Sequence, residues 1–493
     1  MKVVLISMPD VVPILMHETA VHIANHGIAC VGGNIDKRHQ VYLIDLVRKR
    51  KSVRKYLTKT LTEIRPDIVG LSAMTWQYHT CVRLIRLIRE ILPDVKIALG
   101  GYHATLSAEE ISVAPEAELI DFIVRGEGEI TFQRLVNALD GRDSLASIPS
   151  LSFKSENCFI HNERAKLCDL SSLKLPIRDQ RRLTRGYHLM FSKIEVLETS
   201  RGCTRNCNFC SMHHMYGRSY RTYPVERVLD DLDDIYRRKR TRMIFVTDDN
   251  FVLSPKWVDE VCEAIIKKGY RDLKLSVQSD CISIVKNEQM VRKMRRAGFQ
   301  AIFLGIENAS ASSLEALEKG EVVAVSKQAV DICHKNEIMV LGGAIFGLPE
   351  DDKNAIRKNY LFLNNIGVDV SYCQILTPYP KTQLRENLLE EGLITNHDDY
   401  SKYNGLWANV KTRHLSAEQL QYYFWYYRQN ATGWWKPSAF TRSQAPVWTW
   451  AWQYLIKPFM RFFFEKKIKK TKWQVLHERE LERLKKMNSF NDI

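Results

Sequence analysis

Apolar positions along the chain fall into short runs separated by longer segments of mixed polarity. In the first third, Lys2 to Ser7 (KVVLIS), Gln40 to Leu46 (QVYLIDL), Asp67 to Ser72 (DIVGLS), Lys96 to Leu99 (KIAL) and Asp121 to Val124 (DFIV) are rich in β-branched and apolar residues. Runs of this kind predict parallel strands buried on both faces. Between them, Ser52 to Ile64 and Cys81 to Leu92 repeat their apolar residues at a helical period. Strand and helix in alternation predict a doubly wound α/β sheet. Ligands of such sheets lie beyond the carboxyl ends of the strands, here Ser72 to Trp76, Gly100 to Thr105 and Arg125 to Glu129.

Ser147 to Tyr187 is more polar and contains Pro149 and Pro176. It reads as a connector that holds a hairpin, Ser150 to Phe153 with Cys158 to His161. From Lys193 the strand-then-helix pattern returns six times, with strands at Ile194 to Leu197, Arg242 to Thr247, Leu273 to Gln278, Ala301 to Ile306, Ile338 to Ile345 and Val368 to Ile375. Six such units predict an open, partial (β/α)6 barrel, whose chemistry sits at the carboxyl ends of its strands. The expected division is a first domain over 1–146, a connector over 147–190, a barrel over 191–398 and a mostly α extension over 399–493.

Composition changes this picture in two places. Eleven cysteines among 493 residues are scattered except for one cluster, so they do not form a disulfide framework. The opening MKVVLISMPD is too short an apolar run for a signal peptide, and a reducing cytoplasm is the expected compartment. The net charge is +15, and from Lys457 to Ile493 eleven Lys or Arg stand against five Asp or Glu. Such a surface suits an anionic membrane or nucleic acid.

The cysteine cluster carries the clearest chemistry. In TSRGCTRNCNFCS, Thr199 to Ser211, the thiols of Cys203, Cys207 and Cys210 stand at CxxxCxxC spacing directly after a strand. Closely spaced thiolates suit an iron–sulfur cluster, and three of them leave one iron of a four-iron cluster open. The competing reading is a zinc site completed by His213 or His214, although zinc favours paired CxxC or CxxH units. With Phe209 before the third cysteine, the motif strongly resembles that of the radical S-adenosylmethionine (SAM) enzymes. The resemblance implies a [4Fe-4S] cluster that binds SAM and cleaves it to a 5′-deoxyadenosyl radical.

Resemblance extends over about residues 1 to 400. GLSAMT, ALGGYHATL and VRGEGE resemble the cobalamin-binding domain found upstream of many radical SAM cores. It implies that Ser72, Thr75, Gly100, Gly101, His103, Gly126, Glu127 and Gly128 line a cobalamin pocket. The glycines remove side chains where backbone meets a bulky ligand. The DxHxxG motif that supplies an axial histidine elsewhere is absent, which implies base-off cobalamin without that ligand. Met16, His17, His22 and His26 either face the corrin or are ordinary loop and helix residues, and the second reading is preferred because no metal-ligand spacing joins them.

In the barrel, Asp248, Asp249, Asn250 and Phe251 resemble the family's turn beside the cluster and SAM. Glu307 would accept hydrogen bonds from SAM, and Gly347 in GLPED would admit backbone to the adenine. Gln278 and Ser279 follow the third strand. Arg201 would steer the SAM carboxylate, and Arg205 would do the same or lie solvated. Tyr372 and Cys373 read equally as mouth or strand residues.

Seven of the ten tryptophans lie after residue 420: Trp425, Trp434, Trp435, Trp448, Trp450, Trp452 and Trp473. The run Pro446 to Phe464 is interrupted by Lys457, Pro458 and Arg461, so with the basic segment Lys466 to Lys472 it resembles an interfacial rather than a spanning segment. The alternative is that these aromatics cover the barrel mouth. Nucleic acid ranks last because no RNA-binding module is present. The family expectation is a cobalamin-dependent radical SAM methyltransferase that acts on an unactivated carbon of a hydrophobic, lipid-like or isoprenoid substrate and draws electrons from flavodoxin or ferredoxin. A magnesium-protoporphyrin ester cyclase type of oxidation is the alternative, and a non-catalytic cobalamin or iron–sulfur sensor is the alternative of another class.

Overall fold

The computed structural model describes residues 1–11, 21–156, 158–189, 192–238, 241–319, 322–434, 451, 455, 458–459, 470–490 and 492–493. In chain order its strands are β1 (Lys2–Ser7), β2 (Val21–His22), β3 (Gln40–Asp45), β4 (Ile68–Ser72), β5 (Lys96–Gly100), β6 (Phe122–Val124), β7 (Leu151–Ser155), β8 (Cys158–His161), β9 (His188–Leu189) and β10 (Ser192–Leu197). There follow β11 (Ser200–Arg201), β12 (Arg221–Thr222), β13 (Met243–Val246), β14 (Lys274–Asp280), β15 (Phe299–Glu307), β16 (Met339–Phe346) and β17 (Val370–Ile375). The apolar runs of the sequence are the central strands of two sheets.

The first sheet has the order β3-β1-β4-β5-β6-β7-β8. Its first five strands are parallel, and Val4, Ile6, Ile44, Val69 and Ile97 are fully buried. Helices Val53–Ile64 and Tyr78–Ile91 cover one face and helices His26–Asn34 and Gly128–Leu139 the other, each face with its own apolar core. This is the doubly wound arrangement. The hairpin assigned to the connector instead extends this sheet, with β7 antiparallel to β6 and β8 antiparallel to β7.

The second sheet has the order β17-β16-β15-β14-β13-β10-β9-β2. From β10 to β17 the strands are parallel and alternate with helices, as in a partial barrel, around a single large core. Its edge is closed by two short antiparallel strands, and the outermost, β2, comes from the first domain. His22 lies on this strand, with its ring 4.9 Å from that of His188, so it belongs to the seam between the domains.

The helix Lys470–Met487 packs on the helix Ala417–Trp434, where the rings of Trp425 and Trp473 lie 5.7 Å apart. The chain then returns to the first domain, where Arg83 donates to the carbonyl of Ser489 (2.9 Å) and Arg54 to that of Asp492 (2.9 Å). Among the described residues no helix is long and apolar enough to cross a membrane. Met16, His17 and, apart from isolated positions, the run Pro446 to Phe464 lie outside the described residues.

Candidate active site

The cysteine loop leaves the end of β10 and is fastened at its root. Asp248, at the end of β13, is 1% exposed and has both carboxylate oxygens occupied. The Thr199 N–H donates to Oδ1 (2.7 Å), while the hydroxyls of Thr199 and Ser200 donate to Oδ2 (2.5 and 2.6 Å). Burial pushes its pKa to about 7 against these bonds. Asp248 is therefore a buried clamp on the loop. Asp249, in the bend that follows, turns to a different part of the loop. One of its oxygens accepts the Gly202 N–H (3.0 Å), and the residue lines a cavity. Burial raises its pKa to about 6. Gly202 has φ +86°, and a Cβ there would run into the Ser219 carbonyl, so glycine sets the course of the loop into the first cysteine.

Cys203 and Cys207 are buried and Cys210 is half-buried, all as free thiols. Burial raises all three thiol pKa values, that of Cys210 to about 12. At Cys203 the Arg205 N–H (3.4 Å) and the Asn250 amide (3.8 Å) donate to the sulfur and partly offset that rise. Among the described residues, the one group of three donors mutually within 4.8 Å lies elsewhere. The three thiols are thus spread more widely than the corners of a single tetrahedral zinc site, and they fit a multi-iron cluster. His214 contacts the Lys381 carbonyl (2.6 Å).

Around the loop, Glu307 closes β15 with φ +65° and accepts from Lys319 (2.9 Å). Lys319 lies 5.8 Å from the centre of the Phe209 ring. Burial opposes its charge, but Glu307 and Cys207 hold its pKa above the usual lysine value. Sequence reasoning passed over this buried cation, whose signal was a lysine twelve residues beyond Glu307. Arg205 is 39% exposed and donates to Asp280 (2.8 Å). Gln278 and Ser279 lie within β14 rather than after it. Gly347 follows β16 with its N–H given to Asp351 (2.8 Å), and Leu420 packs over it.

Between the two domains lies a cavity of about 480 Å³. Of the residues expected at cobalamin, Ser72, Gly100, Gly101, Gly126, Glu127 and Gly128 line it, opposite Met215, Tyr216 and Asp249 of the barrel domain. Gly101 has φ +94°, and a Cβ would stand 2.7 Å from the Ala73 carbonyl oxygen. A bare backbone ledge at the strand ends is what a large, flat ligand needs, so these residues fit cobalamin. Thr75 and His103 do not line the cavity. They are 2% and 1% exposed, and the His103 ring is packed between Tyr78 and Tyr400 at 4.2 and 4.9 Å. The first turn after each strand carries these side chains into the helical layer instead. His26, read as an ordinary helix residue, does line the cavity.

Arg201 lines the cavity and is engaged by carboxylates of both domains. Its guanidinium is 5% exposed and donates to Glu127 (2.9 Å), Glu129 (2.5 Å) and Glu198 (2.9 Å). Burial works against the Glu127 carboxylate, but Arg221 and Arg201 keep its pKa below the usual range. Glu127 and Glu129 belong to the first domain, so this hub ties the cavity wall to the cysteine loop. Gly101→Ala should leave the cluster assembled but cut cobalamin retention by about tenfold or more, since the methyl meets backbone at a left-handed φ. The cobalamin absorbance per chain after gel filtration measures it.

Residues 13–136 match the family model of the B12 binding domain, and residues 197–363 that of the Radical SAM superfamily. The chain is 29% identical to the uncharacterized methyltransferase PH0819 of Pyrococcus horikoshii over 80% of this chain and 84% of that protein. It is 26% identical to the anaerobic magnesium-protoporphyrin IX monomethyl ester cyclase of Cereibacter sphaeroides, over 74% of this chain and 59% of that one. With the hopanoid C-3 methylase of Methylococcus capsulatus it shares 28% identity, over 70% of this chain and 64% of the relative. The chain thus spans less than two thirds of the last two. In fold it is similar to the cobalamin-dependent S-adenosylmethionine radical enzyme OxsB with aqua-cobalamin bound, with a TM-score of 0.70 at 18% identity over 99% of this chain and 76% of that one.

Proposed function

Because the chain belongs to the cobalamin-dependent radical SAM enzymes, we propose that it moves a methyl group onto an unactivated carbon of a hydrophobic small molecule. The observation that carries this reading is the single cavity onto which the glycine ledge of one domain and Asp249 of the cysteine loop's clamp both open. When bound, the cluster with SAM supplies a carbon radical that takes hydrogen from the substrate, and cobalamin supplies the methyl group.

Each part of the chain has a task in this reading. Cys203, Cys207 and Cys210 hold the cluster, and Asp248 keeps their loop in register with β10. Phe209, Asp249, Glu307 and Gly347 border the SAM side, where Lys319 places a positive charge beside Cys207. Ser72, Gly100, Gly101, Gly126 and Glu127 seat the cobalamin. With a pKa of about 6, Asp249 holds or releases a proton near neutrality at the cavity wall. Met74, 43% exposed at that cavity, and Met215 supply apolar surface to exclude water. Flavodoxin or ferredoxin supplies the electrons, and the basic residues of Lys457 to Ile493 place the protein at an anionic membrane surface where a lipid-like substrate resides.

A second reading, oxidative ring closure, is favoured by the likeness to the magnesium-protoporphyrin ester cyclase. Incubating the reduced protein with methyl-deuterated SAM and a membrane-lipid extract separates the two. A product carrying the labelled methyl supports transfer. An oxidised product without label supports ring closure.

A further inference from the structure

Apart from the cysteine loop, the described residues contain one group of side chains arranged as metal donors. His26 and Cys30 are four residues apart on the helix His26–Asn34, so both leave the same helical face. Glu198 faces them from the barrel domain, at the end of β10. The donor atoms of the three lie within 4.8 Å of one another, and all three residues line the interdomain cavity.

Each of the three offers a donor atom with no hydrogen bond among the described residues. The His26 Nδ1 is buried and has no hydrogen-bond partner, an expensive condition for a ring nitrogen that a metal would relieve. Cys30 is 4% exposed and is a free thiol. On Glu198, the bonds from Arg201 (3.0 and 2.9 Å) and from the Tyr223 hydroxyl (2.8 Å) all end on Oε2. The other oxygen, Oε1, carries no hydrogen bond among the described residues.

We propose that His26, Cys30 and Glu198 bind a zinc-type divalent cation that staples the first domain to the barrel. Imidazole, thiolate and carboxylate together suit this borderline-soft ion. Tetrahedral zinc sets its donors roughly 3.3–3.8 Å apart, so side-chain adjustments of about 1 Å close the site. The Cys30 proton passes to solvent as the metal–sulfur bond forms, and no electron moves. Three protein donors leave a fourth position facing the cavity that the glycine ledge lines. The ion is separate from the cluster, and its binding does not depend on the methyl-transfer reading.

Zinc K-edge absorption of the full chain, loaded with cluster and cobalamin and given one equivalent of zinc, tests this, because that edge is blind to iron and cobalt. The expected result is one zinc retained per chain after gel filtration, with one sulfur at about 2.3 Å and nitrogen or oxygen at about 2.0 Å. Cys30→Ser should remove the sulfur shell. His26→Gln should keep it and weaken zinc binding by about tenfold or more, which gives a second reading should the first variant fail to fold. No retained zinc, a sulfur shell that survives Cys30→Ser, or unchanged affinity in His26→Gln would overturn the proposal.

Discussion

Cys207→Ala abolishes SAM cleavage to background and leaves cobalamin binding intact. Cys207 is the middle thiol of the loop, buried, and electrostatically coupled to Lys319 and Cys203. With only two protein thiols left, a four-iron cluster loses a corner and its charge balance together. The cavity ledge at Gly100 and Gly101 is on another domain and another sheet, so it has no share in that loss. Iron content, the absorbance of reconstituted protein and 5′-deoxyadenosine formation read the first half, and cobalamin per chain reads the second. Persistent cleavage would place the cluster on other residues.

The largest stability effect falls on Arg201. Arg201→Met leaves Glu127, Glu129 and Glu198, at 4%, 5% and 14% exposure, without their shared cation. Removing one partner from a buried ionic group costs about 3–5 kcal/mol. Lysine in its place restores the charge but not the fork that reaches three carboxylates, so Arg201→Lys should recover only part of the loss. The pH dependence has a definite sign. Arg201 and Arg221 hold the Glu127 pKa below the usual carboxylate range, so the stability Arg201 lends this residue is present above the unfolded carboxylate value and is lost as pH falls through the folded one. The deficit relative to the unsubstituted protein therefore widens from about pH 3 to about pH 6. Urea unfolding at the two pH values measures it, and a deficit that is constant or shrinks with pH would show that the hub carries no buried charge.

The parts of this molecule that sequence alone reveals are those whose cause is local. Val4, Ile6, Val69 and Ile97 announce strands because a strand buried on both faces needs an unbroken apolar run. Cys203, Cys207 and Cys210 announce themselves because one short loop must bring three sulfurs together.

What escaped sequence reasoning depends on distant partners. The hairpin β7–β8 is visible as a hairpin, but nothing in its own residues says that it joins the first sheet through β6. Two-residue strands such as β2 and β9 are too short to leave a periodic signal. Arg201 finds its first-domain partners 74 and 72 residues earlier in the chain, so a surface position and a buried hub look alike in sequence. His103 and Thr75 stand in the right loops but turn into the helical layer, a choice of side-chain direction that loop position does not encode.

The most direct test of cobalamin-dependent radical methyl transfer is to reconstitute the protein anaerobically with iron, sulfide and cobalamin, add reductant and SAM, and quantify both SAM-derived products. The expected result is about four irons and one cobalamin per chain, with 5′-deoxyadenosine and S-adenosylhomocysteine both formed. Iron without cobalamin, or 5′-deoxyadenosine with no S-adenosylhomocysteine, would contradict it and leave an oxidising or rearranging radical enzyme in its place.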